Sequence, residues 1–358
     1  MSDIAGLGST PAPWLGSPGE HGGVVLSSRI RLARNLEGWH FPRKLPPARA
    51  RTLVEKVAEA AARACPGRLV RVDRLETSER QLLVERQLVS RELAAAKRAC
   101  GLWLGDDQRT ALMIGEEDHL RLQLFGPGLQ LEKLLADAVA LDVRLARDLG
   151  WAFDDRLGYL TACHSNLGTG LRASVMLHLP ALAETGELKA VLRALEKLHL
   201  AVRGRFGEGS EPQGHYYQVS NRRTLGQDEA GIVASVHAAA LRVIEAERIA
   251  RESMLANDAQ RNRLEDKVWR AWAVLTSARV LSSEELVDHL AWLRVGLALG
   301  VLNTLSHRPT WATLDRIFVL CQPAHLQAAH PAATDSAWRD RLRAELTRTW
   351  LTAHAGRN

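Results

Sequence analysis

No apolar run in the 358 residues approaches the roughly 18 that a membrane-spanning helix needs. The opening Met1-Ser-Asp-Ile-Ala-Gly-Leu-Gly8 lacks the basic and apolar regions of a signal peptide. Both absences speak against a membrane or secreted protein. Cysteine is scarce. Cys65, Cys100, Cys163 and Cys321 stand far apart, which excludes a disulfide frame and a zinc cluster and points to a reducing cytoplasm. A Walker-type Gly-x-x-x-x-Gly-Lys-Ser/Thr is missing. The Gly-x-Gly pairs near residue 204 have no suitably spaced helix after them, so they are not a dinucleotide fingerprint. Lysine is sparse and no internal repeat is visible.

What is present is an ordinary globular mixture, 46% hydrophobic and 25% charged. The length suits one large domain plus a smaller one. The net charge is +6 and the pI about 9.4, carried mostly by arginine. That charge is dispersed, as on a solvated basic surface, and forms no stripe of the kind that binds nucleic acid. Arginine grips phosphate through a planar two-pronged fork, so arginines at chosen strand positions suit an enzyme that handles phosphate.

Along the chain, residues 1–22 are rich in Gly, Pro and Ser and read as a flexible leader. Val24–Asn35 reads as a strand. Its Arg29 and Arg31 share a face, and Arg34 has the opposite parity. Two cations on one face are tolerable if an anion lies between them. Residues 46–64 are helical, ending at Pro66-Gly67, and a second helix starts near Thr77 with Thr77 or Ser78 as its cap. Residues 110–124 alternate like a strand pair or one bent strand. If extended, they place Glu117, His119 and Arg121 on one face and turn Glu116 and Asp118 away. Residues 129–149 form an amphipathic helix closed by Gly150.

The stretch Gly158–His178 places Cys163 in a polar, glycine-bearing turn before a strand that begins at Arg172. A thiol there is a candidate reactive group, though a structural cysteine would look the same locally. His178 reads as a satisfied core histidine. Leu200–Glu211 runs from a strand into a glycine-rich loop with two acids, and Tyr216–Asn221 reads as another strand. Residues 227–254 form a long helix. From about 255 onward only helical periodicity remains, with stripes at Trp269/Trp272, Leu286/Leu290 and Trp338/Leu342/Leu346. The expected division is leader 1–22, catalytic domain 23–254 and helical C-terminal domain 255–358.

Four segments in order, Ser27-Ser-Arg-Ile-Arg31, Glu116-Glu-Asp-His-Leu-Arg121, Cys163-His-Ser-Asn-Leu-Gly-Thr169 and Tyr217-Gln-Val-Ser-Asn221, resemble the phosphagen (guanidino) kinase superfamily. Within it the chain looks like the bacterial protein arginine kinases. The catalytic region starts at about residue 23, which leaves no room for the helical N-terminal domain of the small-substrate kinases. Gln218 stands where those kinases carry Asp. The C-terminal Arg339-Asp-Arg-Leu-Arg-Ala344 resembles a family motif that forms an allosteric phosphoarginine pocket, with Arg339, Asp340, Arg343 and Ala344 as its residues.

The resemblance implies an α+β fold, an antiparallel sheet flanked by helices and followed by an all-helical domain. It implies ATP with Mg²⁺ riding on the phosphates, and no protein metal-ligand cluster. The nucleotide site would comprise Ser27, Ser28, Arg29, Ile30 and Arg31, then Gln87 and Arg121. It would continue through Arg172, Ala173, Ser174, Val175 and Met176 to Arg203, Gly204, Arg205, Phe206 and Gly207. Glu117 would hold and deprotonate the acceptor guanidinium with a second acid, Glu208 or its competitor Glu211, while Cys163 helps to position it. Two departures stand out: His164 replaces the family's Pro, and Gln87 replaces a His that contacts nucleotide.

The implied partners are proteins with exposed arginines, a zinc-binding activator protein, a Clp protease and a second copy of the chain, in the cytoplasm. The competing readings are a kinase for free arginine or another small guanidino compound, and a non-catalytic phosphoarginine-binding adaptor.

Overall fold

Residues 4–15, 21, 23–204 and 213–353 are described by a computed structural model. At its centre is an antiparallel sheet of eight strands. They are β1 (Val25–Arg34), β2 (Gly67–Val70), β3 (Gly101–Gly105), β4 (Thr110–Ile114) and β5 (Leu120–Pro127). After the small hairpin β6 (Phe153–Asp154) and β7 (Gly158–Tyr159) come β8 (Leu171–His178), β9 (Leu200–Arg203) and β10 (Tyr216–Asn221). The order across the sheet is β2-β3-β4-β5-β1-β8-β10-β9, so the first strand in sequence lies in the middle.

Alternation along β1 decides which face is which. Ile30 and Leu32 are wholly buried, as are their neighbours Leu122, Ala173 and Val175. That face is covered by helices α1 (Pro47–Ala64), α4 (Leu131–Leu149) and α7 (Glu229–Ala256), whose apolar stripes supply Leu53, Val57, Leu134, Leu141, Val236 and Val243 to one core. Arg34 lies on this side, as its parity requires. Its guanidinium donates to both carboxylate oxygens of Asp142 on α4, at 2.8 and 2.9 Å through Oδ2, and lies 3.4 Å from the Tyr159 ring centre. The pairing offsets the cost of burying the charge.

On the opposite face, α2 (Thr77–Glu85) and α3 (Arg91–Ala94) cover only the β2-β3-β4 end, where Leu82, Leu83 and Leu93 meet Leu102 and Met113. The β5-β1-β8-β10 portion of that face carries a run of polar side chains beside Phe125 and Met176.

Between β8 and β9 lie α5 (Pro180–Glu184) and α6 (Leu188–Lys197); beyond α7 the fold is helical: α8 (Asp258–Ser277), α9 (Ser283–Ala298), α10 (Trp311–Leu320), α11 (Pro323–Ala329) and α12 (Ser336–Thr352). The side chain of Asn257 accepts from Gln260 N–H at 3.0 Å and starts α8. The core of this part is continuous with that of the sheet. Tyr216 of β10 stacks on His178 and meets Phe318 of α10, with ring centres 4.8 and 5.1 Å apart.

Several expectations need correction. The stretch read as a leader is packed where it is described. Ile4, Leu7, Ala12 and Trp14 are buried, Trp14 stacks on Phe125, and the guanidinium of Arg86 holds the carbonyls of Leu7 and Thr10. Its turns suit Gly and Pro, but its few apolar residues act as anchors. The N-cap of α2 is Glu76, whose side chain forms a reciprocal capping box with Glu79, not Thr77 or Ser78. Residues 110–124 are two strands joined by a turn at Gly115–His119, so the extended-chain parity fails there. Trp269 faces outward, because Leu264, Val268, Ala271 and Leu275 form the buried stripe of α8. His178 is buried as expected, but neither ring nitrogen has a hydrogen-bond partner among the described residues. It remains neutral: burial pushes its pKa well down, helped by Arg251 and Arg294.

Candidate active site

Antiparallel register places directly opposed residues on the same face. Arg31 of β1 is opposite Arg172 of β8 and Gln123 of β5. Arg29 is opposite Ser174, which is itself opposite Ser220 of β10. Arg121 is opposite Ala33, and Arg203 of β9 is opposite Gln218. One row of polar side chains therefore crosses five strands. It floors a cleft of about 850 Å³ that Arg29, Arg31, Arg121, Arg172 and Arg203 all line.

The crowding is electrostatically costly. Arg29 is pushed down to about 10, chiefly by burial and then by Arg172 and Arg121. Arg31 is lowered further by burial, Arg29 and Arg172, and its Nε has no hydrogen-bond partner among the described residues. Half-buried guanidinium groups converging on one cleft form a receptor for a polyanion.

Acid and thiol line the same cleft. In the β4–β5 turn, Glu116 accepts from Arg121 at 2.7 Å and Glu117 lies 3.5 Å from the same guanidinium. The pKa of Glu117 is raised by burial, with Arg121 acting against the rise. Gly115, at φ +76°, makes this turn possible.

Two anchors fix the turn. Arg98 donates to the carbonyls of Gly115 and Glu116. Asp118 accepts from the side chain of Asn35 and the backbone N–H of Ala162, both at 2.7 Å. The second contact ties the Glu117 turn to the Cys163 loop, and both residues line the one cleft.

Cys163 Sγ lies 3.0 Å from Ser165 Oγ. Behind it, Thr224 Oγ1 donates to the carbonyl of Leu167 at 2.7 Å and contacts that of Ser165 at 3.0 Å. Gly168 sits at φ +105°, where a Cβ would come 2.3 Å from the Thr224 carbonyl oxygen. His164 lines the cleft where the family has Pro.

Gln87 also lines the cleft. It adopts the left-handed conformation at φ +58°, and its carbonyl accepts from Gln123 Nε2 at 2.8 Å. Not every residue expected at the nucleotide site reaches the cleft with its side chain. Ile30, Ala173 and Val175 point into the core, and Ser28 turns the same way to contact Gly128 and Gln130. Only alternate residues of a strand can line one cleft. Ser27 and Met176 share the open face but do not line it. Arg205, Phe206, Gly207, Glu208 and Glu211 lie outside the described residues; Gly204 is the last described before them.

Sequence reasoning missed Glu116, Gln123 and Ser220. Gln123 carried a signal, two residues beyond Arg121 on the same strand. Glu116 carried none, because a turn has no parity. No group of three or more His, Cys, Asp or Glu residues among those described could hold a metal ion. No helix there is long and apolar enough to cross a membrane.

The Arg339–Ala344 segment lies on α12. Arg339 donates to the carbonyls of Ala333 and Thr334, at 3.2 and 2.7 Å. Arg343 is buried and pairs with Asp340. It also donates to the carbonyls of Cys321 and Leu281, at 2.9 and 2.7 Å. Ala344 is buried beside it.

Residues 50–250 match the family described as ATP:guanido phosphotransferase, C-terminal catalytic domain, and residues 261–358 match the protein-arginine kinase McsB C-terminal domain. The chain is 41% identical over 344 residues to the protein-arginine kinase of Moorella thermoacetica, covering 94% of this chain and 97% of that one. It is 40% identical over 347 residues to that of Symbiobacterium thermophilum, covering 95% and 96%. Among solved structures, the duplicated taurocyamine kinase of Schistosoma mansoni with bound transition state analog components matches at a TM-score of 0.60 and 25% identity. That match covers 80% of this chain and 41% of the other. A lombricine kinase matches at 0.57 and 23%, covering 69% and 71%, a likeness of fold. The chain belongs to the protein-arginine kinase family, within the guanidino phosphotransferases.

Proposed function

We propose that this protein transfers the γ-phosphoryl group of ATP directly to a guanidinium nitrogen of arginine side chains in proteins. The observation that carries the reading is the register-built row of five arginines that shares one cleft with Glu117 and Cys163. Phosphoryl transfer is largely positioning and charge neutralisation. Arg29, Arg31, Arg121, Arg172 and Arg203 hold the triphosphate, and Gln87 stands at the nucleotide's edge. Mg²⁺ bound to the phosphates supplies further neutralisation there.

An arginine side chain is a poor nucleophile because it remains protonated in water, with a pKa above about 12. Glu117 aligns its nitrogens and accepts a proton as the N–P bond forms and the bond to the ADP leaving group breaks. The raised pKa of Glu117 makes it a better base than an ordinary carboxylate. Cys163 positions the guanidinium and forms no covalent intermediate. The second acid is Glu208 or Glu211.

Around this centre we place the segment Arg339, Asp340, Arg343 and Ala344 as a phosphoarginine-binding regulatory site. We also place a homodimer, a cytoplasmic setting, a zinc-binding activator protein and delivery of marked proteins to a Clp-type protease. The family assignment is the support for all of these.

The test is acid-labile phosphorylation of casein with mass-spectrometric site mapping. Wild type should give phosphoarginine. Glu117→Ala should lose roughly 10²–10⁴-fold of the rate, the usual worth of general-base help. Between Glu208→Ala and Glu211→Ala, the larger loss identifies the second acid. An unchanged rate in Glu117→Ala would remove the assigned base. ADP release with free L-arginine and none with protein would overturn the choice of acceptor.

A further inference from the structure

Three consecutive residues at the end of α2 touch three different parts of the molecule. The carboxylate of Glu85 is buried and accepts the backbone N–H of Ala324 at 2.9 Å, that of His325 at 3.2 Å, and His325 Nδ1 at 2.9 Å. Those partners belong to α11 and stand about 240 residues away in sequence. Arg86 holds the N-terminal segment through Leu7 and Thr10. Gln87 then lines the arginine cleft, in the left-handed conformation, and its carbonyl is fixed by Gln123. On its other side, α11 follows the Cys321 carbonyl that Arg343 holds.

A non-glycine residue at positive φ carries strain and persists only where its surroundings over-determine it. Here Glu85 clamps the chain two residues before, and Gln123 clamps Gln87 itself. The residues that continue the cleft wall, Val89, Ser90 and Arg91, follow directly.

We propose that Glu85 is a positioning residue for nucleotide binding: by gripping α11 it sets the conformation of the Gln87–Arg91 wall, so the C-terminal helices help to shape the ATP site. Glu85 itself does not line the cleft and has no direct contact to offer a nucleotide. The inference rests on the nucleotide placement proposed above.

The experiment measures KM for ATP, kcat on casein, ATP affinity by titration calorimetry and thermal melting for the full chain. Arg29→Ala serves as a check on the placement. Glu85→Ala should raise KM for ATP and the ATP dissociation constant about tenfold while kcat stays within twofold. Glu85→Gln, which keeps an acceptor oxygen for the α11 N–H groups, should recover most of that loss. His325→Ala removes one of the three contacts and keeps the test open should Glu85→Ala fail to fold; it should raise KM for ATP about threefold.

A merely structural role would lower the melting temperature or kcat with ATP affinity unchanged, and that result overturns the proposal. If Arg29→Ala also leaves ATP affinity untouched, the nucleotide placement has failed. If Arg29→Ala weakens ATP and the Glu85 and His325 variants do not, the relay alone has failed.

Discussion

His178 shows what it costs to bury an imidazole with no hydrogen bond among the described residues. It is fully buried against Tyr216, near Arg251, Arg294 and His215, and all three lower its pKa further after burial has acted. An unfolded histidine titrates near 6.5. The folded pKa lies well below that, so the unfolded chain binds the proton first. Stability from this residue is therefore complete above about pH 6.5 and is lost progressively as pH falls toward the folded pKa. Replacing His178 with Leu should flatten the dependence of melting temperature on pH between about 7 and 5, relative to wild type. Equal slopes in the two proteins would refute the assignment. His119, His215 and His289 are shifted the same way and supply the slope that remains. From sequence, burial of His178 was legible in its apolar neighbours. The lack of hydrogen bonds among the described residues was not, because it depends on what Tyr216 and the helices beyond residue 255 bring against it.

At the scale of elements, the strands were the most readable part. Period-two alternation in Val24–Asn35 separates Arg29 and Arg31 from Arg34, and the structure uses that separation fully: two arginines in the cleft and one paired with Asp142 beneath the sheet. The same rule misled at Gly115–His119, where the chain is a turn and Glu116 reaches Arg121 instead of pointing away. In a contiguous run such as Ala173 to Val175 only alternate side chains can face the cleft, and those of Ala173 and Val175 point into the core.

The Cys163 loop is the element most exposed to a small change. Gly168→Ala would place a methyl group against the Thr224 carbonyl oxygen at a φ that alanine rarely adopts. Because the obstacle is backbone, the loop must shift, carrying Cys163 with it. Kinase activity should fall at least tenfold while far-ultraviolet circular dichroism stays native. Full activity in this variant would mean that the loop is free to rearrange.

For the whole molecule, the division into a catalytic and a helical domain was drawn from a change of periodicity at about residue 255. The change is real, since the chain is helical from α7 onward. What periodicity could not reveal is that the two parts share one core, through Tyr216, Phe318, Leu286 and their neighbours. It also could not reveal the clasp of Glu85 on α11, because no local pattern links residues 240 positions apart. A shared core predicts cooperative behaviour. Scanning calorimetry of the full chain should give a single transition whose calorimetric and van't Hoff enthalpies agree. Two resolved transitions would show that the helical part folds independently.

The placement of β1 at the middle of the sheet has a consequence for synthesis. β1 is synthesised before both of its neighbours in the sheet, and the second of them ends only at His178. Until then Arg29 and Arg31 are a pair of loose cations on a nascent chain with no floor to stand on. A chain that stops before β8 cannot hold the arginine row, because Arg31 then has no Arg172 strand beside it.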